Sequence, residues 1–152
     1  MAYNVIILKG DGTQVEGLAS GAVTPGHLLE RDAGGTLSVH SDQGGNASPL
    51  FAQKDELQGK TISQAYATAT RVLARMMRLG DQVYALLANG ETAIIGSFLE
   101  SAGDGTLQVC PTDSAGIVKY PASIVAVALE AVDMSDSSGA DPNGRICVEI
   151  VK

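Results

Sequence analysis

The side chains in this sequence able to do chemistry are few. Its imidazoles are His27 and His40, and its thiols are Cys110 and Cys147. Neither histidine has a second ligand at a His-x-x-x-His spacing or a cysteine or carboxylate at ligand spacing, so both read as solvated or interface side chains rather than as metal ligands or bases. The cysteines lie far apart, in no Cys-x-x-Cys arrangement, and read as two buried apolar thiols, with a disulfide open only if the fold brings them together. Gly10-Asp-Gly12 and Gly103-Asp-Gly105 lack the Lys-Ser/Thr and following helix of a phosphate loop, and read as turns. There is no Gly-x-Ser-x-Gly elbow, and the acids are scattered singly apart from Asp55-Glu56. Asn46-Ala-Ser48 and Lys54-Asp-Glu-Leu57 match a glycosylation sequon and a retention signal. The first needs a secretory route and the second is read only at a C-terminus. The expectation is a non-enzyme, with no catalytic residue, no cofactor and no metal.

The elements that carry these residues are strands. A chain of 152 residues is one domain's length, and it is 45% hydrophobic with only 18% charged residues, below the roughly 25% charge of an average domain. Its longest apolar run, Ile124–Leu129, falls far short of the ~20 residues that span a bilayer, so no membrane segment is expected. Met1 to Lys9 has no basic n-region, which points to assembly in a cytoplasm. Turn signals recur at intervals of about ten residues, as in small sandwiches and barrels. Asn4–Leu8 reads as a strand and Thr13–Gly17 as the arm that pairs back on it across Gly10-Asp-Gly12. Asn89-Gly90, between Gln82–Leu87 and Thr92–Ile95, is a strong hairpin signal. Two more strands are expected at Ser123–Val132 and Arg145–Val151, with a mobile polar loop over 133–144. The stretch 61–78 stays open between helix and strand. Ile62, Tyr66, Ala69, Leu73 and Met76 repeat at helical spacing, while Thr61, Thr68, Thr70 and Val72 favour strand. The fold class is mainly β, a single-domain barrel-like or sandwich-like fold with at most one short helix.

An internal repeat organises the chain. Gly26–Val39 aligns without gaps to Gly96–Val109 at an offset of 70, matching Gly26, Leu29, Glu30, Gly35, Thr36, Leu37 and Val39 with Gly96, Leu99, Glu100, Gly105, Thr106, Leu107 and Val109. The repeat units, about 21–40 and 91–110, are one supersecondary unit used twice: a glycine turn, a strand, a tight turn and a second strand. Two copies are too few for a solenoid and imply paired hairpins inside one domain.

Charge is divided unevenly. Between Gly59 and Gly80 stand Lys60, Arg71, Arg75 and Arg78 and no acid, while the other six bases face all 17 acids. The basic central segment, 57–80, is therefore a small positive island in a chain of net charge −7. Arginines that bond carboxylates bidentately, beside the pliable Met76 and Met77, suit a protein-docking surface. An acidic chain without a basic, aromatic-interleaved stripe argues against nucleic-acid binding.

Several stretches taken in order resemble the head decoration, or capsid cement, proteins of tailed bacteriophages. They are Gly21-Ala-Val-Thr-Pro-Gly-His-Leu-Leu-Glu30; Leu50-Phe-Ala-Gln-Lys-Asp-Glu56 with Gly59-Lys-Thr-Ile-Ser-Gln-Ala-Tyr66; Leu79 to Glu91; Gly96 to Leu107; Val125 to Asp133; and Arg145 to Ile150. The resemblance spans nearly the whole chain. It departs at Thr70, where relatives carry a turn glycine, and so leaves 67–76 open between strand and helix. It implies a barrel-like or tulip-like virion protein that is not an enzyme. Such a protein binds the outer surface of an expanded capsid as a homotrimer and clamps neighbouring copies of the major capsid protein. The expected interface is Lys60, Arg71, Arg75, Met76 and Arg78, together with the N-terminal strand of Tyr3, Val5 and Ile7, which would add to a neighbouring sheet edge. Other classes that fit a β-rich build are a tail-tube subunit and a small ligand- or carbohydrate-binding barrel. The second is poorly supplied, with no Trp and six aromatics in all.

Overall fold

The computed structural model describes residues 3–136 and 144–152. Among the described residues there are thirteen short strands: β1 (Ile7–Lys9), β2 (Thr13–Leu18), β3 (Leu29–Arg31), β4 (Leu37–Val39), β5 (Leu50–Ala52), β6 (Arg71–Met76), β7 (Gln82–Leu86), β8 (Thr92–Ala93), β9 (Phe98–Ser101), β10 (Leu107–Val109), β11 (Ala126–Ala128), β12 (Val132–Asp133) and β13 (Arg145–Ile150). All the strand pairs are antiparallel. The strands form a six-stranded sheet in the order β1-β7-β13-β11-β9-β10, a three-stranded sheet β2-β6-β5, and the ribbons β3-β4 and β8-β12. The mainly-β single domain stands as expected. These sheets stay open and do not close into a barrel. Helix is confined to the 3-10 turns Glu56–Gln58 and Pro121–Ser123 among the described residues.

The repeated hairpin is real and keeps its register. Leu29, Glu30 and Arg31 face Val39, Ser38 and Leu37, and at the same offset of 70 Leu99, Glu100 and Ser101 face Val109, Gln108 and Leu107. The duplication reaches well beyond the 14 aligned residues. In one half β6 lies between β2 and β5, with Leu18 opposite Arg71 and Leu50 opposite Met76. In the other, β13 lies between β7 and β11, with Leu86 opposite Arg145 and Ala126 opposite Ile150. The Val23–Tyr66 bridge answers to the Ala93–Val132 pair of β8 and β12. The five strands β2–β6 thus recur as β7, β9, β10, β11 and β13, with the ribbon β8-β12 standing where the first half has a single bridge, and residues 77–81 join the two halves.

Each copy buries the same positions. Ala19, Val23, Leu29, Leu37, Val72 and Ala74 form the first core. Their counterparts Leu87, Ala93, Leu99, Leu107, Ile146 and Val148 form the second. The second core is the larger, and Leu28 and Phe51 of the first half, both fully buried, enter it. Strand alternation explains this: Leu29, Leu50 and Ala52 point into their own core, leaving Leu28 and Phe51 on the opposite face, turned to the other half.

Three local expectations fail because the chain prefers distant partners. The hairpin across Gly10-Asp-Gly12 does not form; β1 pairs with β7 and β2 with β6. Asn89-Gly90 is a turn, but β8 leaves β7 to pair with β12. The stretch Ser123–Val132 breaks at Leu129-Glu130 into β11 and β12. The helical spacing in 61–78 is coincidental: 71–76 is a strand whose Val72 and Ala74 are fully buried. Ala69, in the turn before it, has φ +65°. The loop expected at 133–144 lies outside the described residues at 137–143.

Candidate interaction surface

The basic segment is laid out by β6. Its alternation places Arg71, Leu73 and Arg75 on the face away from the first core, and Val72, Ala74 and Met76 toward it. Arg71 is two-thirds exposed and donates from Nη1 to Glu16 Oε2 at 2.7 Å; this bond and one from Gln14 hold the Glu16 carboxyl below its usual range. Arg75 donates from Nη1 to the Asp11 carbonyl at 2.9 Å. Arg78 is exposed, and its backbone N–H donates to the Asp81 carboxylate at 2.9 Å. Lys60 and Arg71 line a small cavity of about 160 Å³ with Asp55. The fold therefore gathers Lys60 and Arg71 at one end of β6 and Arg75 and Arg78 at the other, and turns Met76 inward. The N-terminal strand is used within the chain: Ile7 pairs with Val83, and the Tyr3 ring sits edge-on to Tyr84 at 5.3 Å.

The sequence reading missed a second surface. Ile94, Ile95, Phe98, Ile117 and Tyr120 are between 42% and 71% exposed. Two of them, Phe98 and Ile117, line an apolar groove of about 530 Å³ together with Val109, Cys110, Pro121 and Ile124. A signal for it existed: at the offset of 70, Ile94 stands where the first copy has the polar Thr24, so two adjacent isoleucines occupy a turn.

Both histidines lie at the joint between the halves, His40 buried and His27 partly buried. His40 is buried, with Nδ1 2.7 Å from Ser101 Oγ and Nε2 3.1 Å from the Asn46 carbonyl. His27 Nδ1 accepts the Thr24 N–H at 3.1 Å, and the ring lies against Gly105 of the second hairpin. Burial pushes the His27 imidazole down to about 4; Asp104 opposes that shift and Arg145 adds to it. Between that value and the ordinary 6.5 the unfolded chain takes up a proton that the folded chain refuses. Stability should therefore fall as pH drops from 6.5 to 4, by up to about 3 kcal/mol, and flatten below. His27→Asn keeps an acceptor for Thr24 and should remove this part of the slope. Urea titrations of both proteins across that pH range check it; parallel curves would refute the assignment.

Cys110 and Cys147 are buried and free, as expected. Burial pushes their thiols up to about 12 and about 11. Among the described residues no cluster of three His, Cys, Asp or Glu side chains is placed to hold a metal, and no helix is long and apolar enough to cross a membrane.

No protein-family model matches the chain, and no curated protein matches it in sequence. Its backbone does superpose on a solved structure, the N base of head fiber gp8.5 of bacteriophage phi29, with a TM-score of 0.55 over 91% of this chain and 92% of that one. The chain has the fold of a bacteriophage head protein. Sequence identity is 15%, so what the two share is the fold.

Proposed function

We propose that this protein is a non-enzymatic component of a bacteriophage head. In this reading it binds the outer surface of the expanded capsid as a homotrimer and bridges neighbouring major capsid subunits. The observation that carries it is the end-to-end likeness to the phi29 head fiber base. Two surfaces divide the labour. Arg75, Arg78 and Lys60, bases in an otherwise acidic chain, supply charge-assisted contacts to capsid carboxylates. The apolar face around Phe98 is left for a second protein surface. A trimer that touches several subunits holds on through effective concentration, so each contact can be weak. Binding only the expanded lattice stabilises that state by mass action.

The experiment is occupancy on DNA-filled heads of the phage that encodes the chain, comparing the wild type with the Lys60→Glu/Arg75→Glu/Arg78→Glu variant. Three reversed charges should lower occupancy by about tenfold or more at fixed protein concentration. Equal occupancy would sink the docking surface, and absence of wild-type binding would sink the capsid reading.

A further inference from the structure

The joint between the two halves is head-to-tail, and both of its faces recur unfilled elsewhere on the same chain. In the joint, the turn Thr24–Leu28 of the first half presses on the ends of β7 and β13. Arg145 donates from Nη1 to the Pro25 carbonyl at 2.8 Å, the Leu86 N–H points to the Gly26 carbonyl at 3.4 Å, and the Leu28 N–H donates to the Gly105 carbonyl at 2.7 Å. Pro25, Gly26 and Leu28 are buried by this contact, as are Leu86 and Arg145.

The duplication supplies a second copy of each face. The counterparts of Pro25, Gly26 and Leu28 are Ile95, Gly96 and Phe98, and all three are exposed, with Ile95 at 71% and Phe98 at 42%. The counterparts of Leu86 and Arg145 are Leu18 and Arg71, with Leu18 at 50% and the Arg71 side chain at 66%. Gly105 packs against His27 and Val39, while its counterpart Gly35 has open space before it. Both arginines open their strands, β6 and β13, and both stand opposite a leucine. Each face that the joint covers internally is thus bare at its second occurrence.

We infer that copies of this chain associate head-to-tail through a repetition of their own internal joint, with the Ile95–Phe98 turn of one copy seated on Leu18 and Arg71 of the next. Arg71 exchanges its exposed pairing with Glu16 for the Ile95 carbonyl of the neighbour, as Arg145 takes that of Pro25. The Leu18 N–H meets the neighbour's Gly96 carbonyl, and the Phe98 N–H of that neighbour meets the Gly35 carbonyl. The apolar groove beside Phe98 closes in the contact. A heterologous contact of this kind must close into a ring or run on as a filament, and a ring accords with the proposed trimer. This self-contact forms without a capsid and so stands or falls apart from capsid binding.

Sedimentation of three full-length proteins tests it: the wild type, Ile95→Glu/Phe98→Glu with one face blocked, and Leu18→Glu/Arg71→Glu with the other blocked. The wild type should run as one closed oligomer. Each variant alone should be monomeric, its self-association weakened about a hundredfold or more. Their equimolar mixture should form a dimer and nothing larger, since one intact face remains on each. A monomeric wild type, a variant that keeps the wild-type size, or a mixture that stays monomeric would overturn the inference. A cross-link guards against misfolded variants. Leu18→Cys/Ile95→Cys should join copies covalently under oxidation up to the wild-type oligomer, the native thiols being buried. A failure to cross-link would count against the contact.

Discussion

Arg145→Ala should cost about 3 kcal/mol of stability, while Arg71→Ala at the corresponding position of the other half should stay within about 0.5 kcal/mol in the monomer. The two arginines occupy equivalent strand positions, so the difference isolates what the joint does. Arg145 is 8% exposed, and its guanidinium serves the Pro25 and Ile62 carbonyls at 2.8 and 2.7 Å while lying 5.7 Å from the Tyr84 ring centroid. Removing it strands two carbonyls, at about 1–3 kcal/mol for each buried group left unsatisfied, and opens a cavity between the halves. Burying a cation costs something too, as the lowered Arg145 pKa indicates. Alanine relieves that cost and so keeps the net loss near the lower end of the sum. Arg71 has one exposed ion pair with Glu16, of a kind worth about 0–1 kcal/mol. Thermal and urea unfolding of the two variants side by side should separate them clearly; equal losses would mean that the joint is not held by Arg145.

Phe51→Ala should be the most damaging single truncation, at about 3–5 kcal/mol. Phe51 is fully buried and is the largest side chain to be so. It grows from β5 of the first half but packs in the core of the second. Its loss leaves a void in the larger core and also detaches the face by which one half holds the other. Phe51→Leu, which keeps most of the volume, should cost under about 1.5 kcal/mol. Because the halves share this core, the wild type should unfold in one transition by both near-ultraviolet and far-ultraviolet circular dichroism. Phe51→Ala should lower the midpoint and tend to split that transition, seen as a reduced denaturant slope. A wild type that unfolds in two steps would show that the halves are independent and that Phe51 is not their coupling.

Both predictions rest on a duplication that is only partly visible in the sequence. The hairpins at 29–39 and 99–109 were legible because a tight turn imposes residue types: Gly35 and Gly105 take positive φ, at +80° and +83°, where a side chain would be strained, and Thr36 and Thr106 follow at matching places. The strands that flank the hairpins carry no such demand. β6 and β13 are equivalent in register, yet Arg71-Val-Leu-Ala-Arg-Met76 and Arg145-Ile-Cys-Val-Glu-Ile150 share only their arginine. A buried strand position asks for an apolar residue of about the right volume and not for a particular one.

The basic island and its lack of acids were plain in the sequence, but which of its members face outward was not. The helical spacing of Ile62, Tyr66, Ala69, Leu73 and Met76 leaves the segment open between helix and strand, and only the pairing of β6 with β2 and β5 fixes Arg71 and Arg75 on the outside and Met76 within.

What the sequence determined alone was local: a mainly-β chain, its turns, a twice-used hairpin, and the absence of a recognisable catalytic motif. The tertiary structure decided which strand meets which. Backbone hydrogen bonds are the same for every residue, so an alternating strand such as Thr13–Gly17 suits a near neighbour and a distant one equally well; burial of a whole face then chooses. That choice brought β1 to β7, sent β8 to β12, hid His27 and His40 at a joint between halves, and left Ile95, Phe98, Leu18 and Arg71 exposed.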